Sequence, residues 1–519
     1  MSTQRYIHLF TEPPKGESDW RDIRRDIEDA LRKNVQRVQQ ETGSSEGRKG
    51  SVYLGDIGVT LMEVTIAERR RDLPNPPQPT AGEQEEGLSH ALLTSLADHH
   101  LASAFHDGGF NPQSLRDGAH SSFLETSVGI TTLILSRYPI GKQKLFARTQ
   151  WKRSRDHLQK VLKTIESDDK EFPEDDDGCD VLYGRAGFLY ALLYLRSVLE
   201  RAEKRAGGTE GDRSNADEER NQDLESCQGL FSDMVLETVV RSIMHRGRNG
   251  AKTYRFEFGG SKSPPLTWAW HSKRYLGGAH GVAGILQMLL RCPFPLVAEY
   301  MPEIVQTIDW LIDCQDRIGN WPTRAPDLNR TTHGEHELVQ WCHGAPAMLI
   351  LLSTILRMSV TPGITTGLTD KQQERFVVSL QRGCALVYMR GVLRKGVGLC
   401  HGIAGSIYAL LAASDVLDEP CNVNTQPPPE SAQVSTPLGH FGPYFTQAGH
   451  LAHSATHASS LTEKGEMKTP DHPWSLYEGM AGMCCAWEEI LYRMSKWGKC
   501  LLSSGMPGYD DLIVRDTTI

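Results

Sequence analysis

Three short stretches could do chemistry in this chain: Ala279-His280-Gly281, Cys342-His343-Gly344 and Cys400-His401-Gly402. Two thiolates and one imidazole make a zinc-binding set, and Cys342, Cys400 and His401 would fill three tetrahedral positions and leave the fourth open, as catalytic sites do. Two thiolates already balance the charge of the metal, so an incoming thiol that ionises at the open position leaves a net negative complex. That keeps its sulfur electron-rich, so thiol alkylation suits such a site better than water activation. His280 and His343, left over from this set, are candidate general acids or bases near neutral pH. The bland alternatives are buried cysteines placed by chance and core histidines. Two cysteines in identical sequence slots argue against the first, whereas adjacent Cys484-Cys485 inside an apolar run reads as packing.

Those slots belong to a repeat. A Gly-x-x-Gly step followed by an apolar run occurs at Gly55–Gly58, Gly184–Gly187, Gly281–Gly284, Gly402–Gly405 and Gly479–Gly482. Two degenerate copies, Thr126–Gly129 and Gly344–Ala347, fit the same register. The spacing leaves room for two helices per unit. The runs after each step, such as Phe188 to Leu195, are apolar almost all round and predict buried helices, while intervening stretches such as Pro302 to Leu311 carry one polar face. Seven buried helices ringed by seven amphipathic ones predict an all-α fold, an α/α toroid. Its seven glycine-rich turns would converge on one mouth and bring the Cys and His slots together.

Length and composition agree with one repetitive fold. At 519 residues the chain could hold three domains, but four polar stretches, about 72–87, 166–177, 201–226 and 418–468, read as loop insertions by composition. Removing them leaves one toroid over residues 1–519. Hydrophobic residues at 39% suffice for its core, and 56 basic against 65 acidic residues, a net charge of −9, offer nothing to a nucleic acid. The first ten residues lack the apolar segment of a signal peptide, Ser2 rather than Gly follows Met1, and no apolar run reaches membrane-spanning length. Eleven cysteines without a signal peptide argue for reduced thiols and a cytoplasmic location, with peripheral membrane contact left open.

The blocks Asp180–Gly187, Tyr275–Gly281, Gly319–Pro322, Trp341–Pro346, Lys395–Gly402 and Ser475–Gly482, in that order, resemble the LanC-like (lanthionine synthetase C-like) proteins, eukaryotic relatives of bacterial lantibiotic cyclases. The resemblance implies an α/α toroid with one Zn2+ held by Cys342, Cys400 and His401. It implies glutathione as the thiol substrate and a dehydroalanine or dehydrobutyrine residue of a peptide or protein as the electrophile. His280 would manage the proton at the α-carbon, Asp180 would orient it or share the acid-base work, and His343 would lie nearby. Lys395 and Arg5 match basic glutathione contacts, the latter through Gln4-Arg5 alone; a further one would fall near Lys468. The cyclases carry an Arg where this chain has Leu338, which argues against ring formation. The expected activity is therefore a zinc-dependent glutathione transferase. The alternatives are a non-catalytic glutathione-binding signalling protein and a tailoring enzyme of a peptide or secondary-metabolite pathway.

Overall fold

The computed structural model describes residues 4–42, 50–71, 88–105, 120–137, 148–206, 223, 225–258, 263–325, 337–418, 441–496 and 503–512. Its helices alternate along the chain between two patterns of burial. Helices α1 (Glu17–Glu41), α3 (His90–Ala104), α5 (Arg148–Glu171), α7 (Asp233–Phe258), α9 (Met301–Asp313), α11 (Asp370–Arg390) and α13 (Pro443–Ala455) are each buried only in part. In α1 the buried residues are Trp20, Ile23, Ile27, Leu31, Val35 and Val38, the three-to-four spacing that puts one helical face on a core. Helices α2 (Asp56–Arg71), α4 (Ser127–Arg137), α6 (Arg185–Ala206), α8 (Val282–Leu290), α10 (Ala345–Val360), α12 (Ile403–Leu417) and α14 (Met480–Ser495) are apolar almost all round. Every residue of α4 is buried, which only a helix enclosed on all sides can achieve.

The even-numbered helices form a circle. α2 packs on α14, α14 on α12, α12 on α10, α10 on α8, α8 on α6 and α6 on α4. The circle closes between α4 and α2, where the Tyr53 N–H donates to the Leu124 carbonyl at 2.9 Å. The odd-numbered helices lie outside: α3 against α2 and α4, α5 against α4, α7 against α6, α11 against α10 and α12, α13 against α12 and α14, and α1 against α14. This is the α/α toroid. Among the described residues, strand pairing is confined to isolated bridges.

The recurring glycine step has one steric cause. A Cβ on the second glycine would strike the carbonyl oxygen six residues earlier, at 2.0 Å for Gly284 against Gly278 and 2.2 Å for Gly405 against Leu399. Glycine at that place lets the turn fold back onto its own helix this closely, and only the unit at Gly344–Ala347 has alanine there.

Residues 503–512 fill the bore of the inner ring. Gln287 donates to Asp510 at 2.9 Å, the Tyr190 hydroxyl to Asp511 at 2.8 Å and the Tyr477 hydroxyl to the Pro507 carbonyl at 3.0 Å. Met506, Tyr509 and Asp510 are fully buried, so this tail is core rather than appendage.

Three of the expected insertions are corrected in part. Residues 166–171 are not loop but the last turns of α5, and of the acidic stretch only 172–177 is irregular. Residues 418–468 contain α13, whose Phe445, Ala448, Leu451 and Ala452 are buried; the alternation of small and apolar residues there was masked by its histidines and serines. Residues 201–206 likewise continue α6. The stretches 72–87, 207–222 and 419–440 lie outside the described residues.

Candidate functional site

Seven turns, one before each inner helix, are tied to their neighbours by backbone hydrogen bonds that run round the rim. Tyr53 donates to Leu124, Ser121 to Tyr183, Val181 to Ala279, Gly278 to Trp341, Cys342 to Cys400, Cys400 to Tyr477 and Tyr477 to Tyr53, at 2.7 to 3.3 Å. The ring of bonds is closed. Buried N–H and C=O groups must find partners, and here each turn satisfies the next, which fixes the relative placement of the side chains they carry.

On one side of this mouth stand the thiols. The Cys400 thiol lies close enough to Cys342 and His401 for both to act on it. Burial pushes the Cys400 thiol well up from its ordinary value, Cys342 adds to the rise, and His401 opposes it. His401 Nε2 lies 3.6 Å from Glu478, and Tyr53 is close enough to Cys400 and Cys342 for their charges to raise its pKa further, beyond the rise that burial causes. Two thiols and an imidazole are a donor set of the type that zinc takes. Among the described residues, however, no three His, Cys, Asp or Glu side chains converge in an arrangement able to hold a metal ion. The described cysteines are free thiols, and Cys484 and Cys485 are buried within α14, away from the rim.

On the other side stand the acid-base candidates. His280 Nδ1 faces Asp180 Oδ1 at 3.4 Å, and Asp180 also accepts from the Tyr183 N–H at 2.7 Å. Asp180 is only 1% exposed, so it is no member of a solvated acidic face. Both His280 Nδ1 and Asp180 Oδ2 are buried without a hydrogen-bond partner, as is His343 Nδ1. Such orphaned groups are costly in a native protein and cluster where a ligand or a proton is handled. His343 sits between the two sides. Burial is the main reason its imidazole is held down at about 4, and the charges of His280, His401, Arg324 and Lys395 add to the effect.

The cations expected to contact a thiol substrate are at the same mouth. Lys395 is exposed and close enough to act on both His343 and Glu478. Arg5 pairs with Glu337 at 3.0 Å, and its segment is held against the turn leading to Lys395 by Arg394 N–H to Arg5 O at 3.0 Å and Ile7 N–H to Val392 O at 2.7 Å. Lys468 is joined to the same turn through its N–H to Arg394 O at 2.7 Å.

Several residues of the mouth were given no role by the sequence. Trp270 stacks on His280, Tyr275 lies against both His280 and His343, and Arg324 stands over the Tyr275 ring at 5.4 Å. Tyr53 occupies the slot that holds Cys342 and Cys400 in other units, and Glu478 the slot that holds His343 and His401, a register that gave neither a role.

Residues 142–502, more than half of the chain, match the lanthionine synthetase C-like protein family, and the chain belongs to that family. The LanC-like protein GCL1 of Arabidopsis thaliana is 26% identical over 64% of this chain and 57% of its own length. Glutathione S-transferase LANCL1 of Danio rerio is 24% identical over 58% of this chain and 56% of its own length. The chain thus matches little more than half of each curated relative. Nisin cyclase is a structural neighbour at a TM-score of 0.46 and 13% identity, covering 93% of this chain and 98% of that one. Among the described residues, no helix is long and apolar enough to cross a membrane.

Proposed function

We propose that the chain, as one toroidal domain over its length, is a zinc-dependent transferase that adds the thiol of glutathione to dehydroalanine or dehydrobutyrine residues. The observation that carries this reading is the closed rim of backbone bonds, which sets the Cys342, Cys400 and His401 cluster against His280, Asp180 and His343 across one mouth. A relative named as a glutathione S-transferase supports the choice of thiol.

Zinc on Cys342, Cys400 and His401 would supply the charge that ionises the bound thiol at neutral pH. Lys395 and Arg5 offer cations to the carboxylates of glutathione, which would hold its sulfur on the cysteine side. Addition to the alkene forms the C–S bond and shifts the π pair towards the carbonyl, leaving an enolate whose α-carbon must take a proton. His280 would make that delivery, with Asp180 behind its Nδ1 to fix the ring and steady the imidazolium. His343, kept neutral by burial, can accept a hydrogen bond or a proton but brings no permanent charge to the mouth.

The test is incubation of zinc-loaded protein with glutathione and a dehydroalanine peptide, followed by mass spectrometry. The expected product is the peptide plus one glutathione, formed by wild type and lost in Cys400→Ala. Glutathione binding without any adduct would replace the enzyme with a glutathione-binding protein that uses the same residues.

A further inference from the structure

The segment 266–275 presents Trp270 to the mouth in a way its sequence does not require. Trp270 and Lys273 exchange backbone hydrogen bonds at 2.9 and 3.1 Å across a two-residue turn. Its central residues, His271 and Ser272, have φ of 49° and 57°. Turns of this kind favour Asn-Gly, because side chains resist left-handed backbone, and strain of this sort persists only where surrounding contacts impose it.

Those contacts come from the acidic stretch. The His271 N–H donates to the Asp177 carboxylate at 2.9 Å, Ala269 N–H to the Asp176 carbonyl at 3.0 Å, and Arg274 pairs with Asp176 at 2.8 Å. The stretch is itself fastened down. Buried Arg246 donates to Asp175 at 2.6 Å and to the Asp177 carbonyl at 3.1 Å, and buried Arg185 donates to the Gly178 carbonyl at 3.1 Å. Asp180, which faces His280, follows directly.

The strained turn delivers an indole laid flat on a catalytic candidate. The Trp270 and His280 rings are 3.8 Å apart and 17° from parallel, and Tyr183 is 7° from parallel with Trp270. The imidazole has room to turn otherwise, since its Nδ1 lies 3.4 Å from Asp180 and makes no hydrogen bond that would lock it. A flat ring contact restricts that rotation, at a geometry in which aromatic rings attract.

We propose that Trp270 is the positioning residue of His280: clamped by the Asp175 to Asp177 loop, its indole holds the imidazole with Nδ1 towards Asp180 and Nε2 away from it. The consequence for turnover rests on the transferase reading above; the consequence for the ring does not. An acidic stretch that composition marks as solvated is thereby given a task in the site.

The test uses full-length protein labelled at histidine Cε1, with the His280 resonance assigned through His280→Gln. Stacking under an indole shifts the His280 Hε1 signal upfield in wild type. We expect Trp270→Ala to abolish that shift and Trp270→Phe to retain most of it. Asp177→Ala, which removes the turn's anchor, should reproduce the alanine result, with the double variant no worse than either single. In turnover with glutathione and a dehydroalanine peptide, Trp270→Ala should lower kcat about 10-fold or more with KM for glutathione unchanged, and Trp270→Phe should restore it. An unchanged His280 signal in Trp270→Ala overturns the proposal, as does wild-type kcat in that variant. Absence of turnover in wild type defeats the transferase reading alone, because the resonance still decides the positioning.

Discussion

The two ends of the inner helices are built on opposite principles. At their C-terminal ends, charges are buried in pairs: Arg69 with Glu489 at 2.7 Å, Arg70 with Glu488 at 2.7 Å, Arg137 with Asp98 at 2.6 Å, and Asp415 between Arg493 at 2.6 Å and Arg357 at 3.3 Å. Arg493 also ties the bore-filling tail through the Ser503 carbonyl at 2.8 Å. At the N-terminal ends the backbone is satisfied by the rim, while the imidazoles of His280 and His343 and the carboxylate of Asp180 keep buried atoms unpartnered. One end pairs most of its charges with one another, and the other leaves buried atoms of its acid-base groups unpaired. Substitution at the base should cost folding, and substitution at the mouth should cost chemistry.

The sharpest break is expected at the thiols. Cys400→Ala should lower adduct formation by roughly 10³-fold, since on the proposed reading it would remove a zinc donor and with it the positioning of an ionised thiol, while the melting temperature moves little. Arg493→Met tests the base. Leaving Asp415 and Glu489 buried without that partner should reduce stability by about 3–5 kcal/mol in urea unfolding, with activity per folded molecule retained. His280→Gln should lower kcat by about 100-fold or more at unchanged stability, read in the same two assays. A loss of folding without loss of chemistry there would undo the division between the ends.

A smaller effect concerns pH. His157 of α5 is buried against Ser127 of α4, with its Nε2 2.8 Å from the hydroxyl, and burial lowers its pKa to about 4. The unfolded chain takes up the proton near 6.5 and the folded chain only near 4, so the stabilisation from the neutral ring is full above 6.5. It falls away as pH drops through that window, by roughly 3 kcal/mol in all. His157→Gln should flatten this limb of the stability profile, and an unchanged slope would show that the acid sensitivity lies elsewhere.

How legible the molecule was follows the range of the interactions. The inner helices, the glycine steps and the Cys-His slots are encoded within a few residues of one another, so repetition alone exposed them and the toroid. α13 was hidden because Pro443 to Ala455 is polar on its outer face and follows a long polar stretch, so composition outweighed periodicity. The last turns of α5 were missed for the same reason: Asp168 and Asp169 read as solvent-loving but are claimed by Arg185 and Arg246, which lie far along the chain. Trp270 and Arg324 were silent, and Tyr275 stood in a family block without a role, because their meaning comes from which rings they meet, a fact no spacing records. The tail at 503–512 gave no sign of being core, since Asp510 and Asp511 look like solvent residues until Gln287 and Tyr190 are seen to meet them.

The account stands or falls on the metal. Elemental analysis of purified wild-type protein beside Cys400→Ala should find one zinc per chain in the former and almost none in the latter. Wild-type protein free of zinc, or a variant that retains it in full, would contradict the central claim that Cys342, Cys400 and His401 form the site at which the thiol is activated.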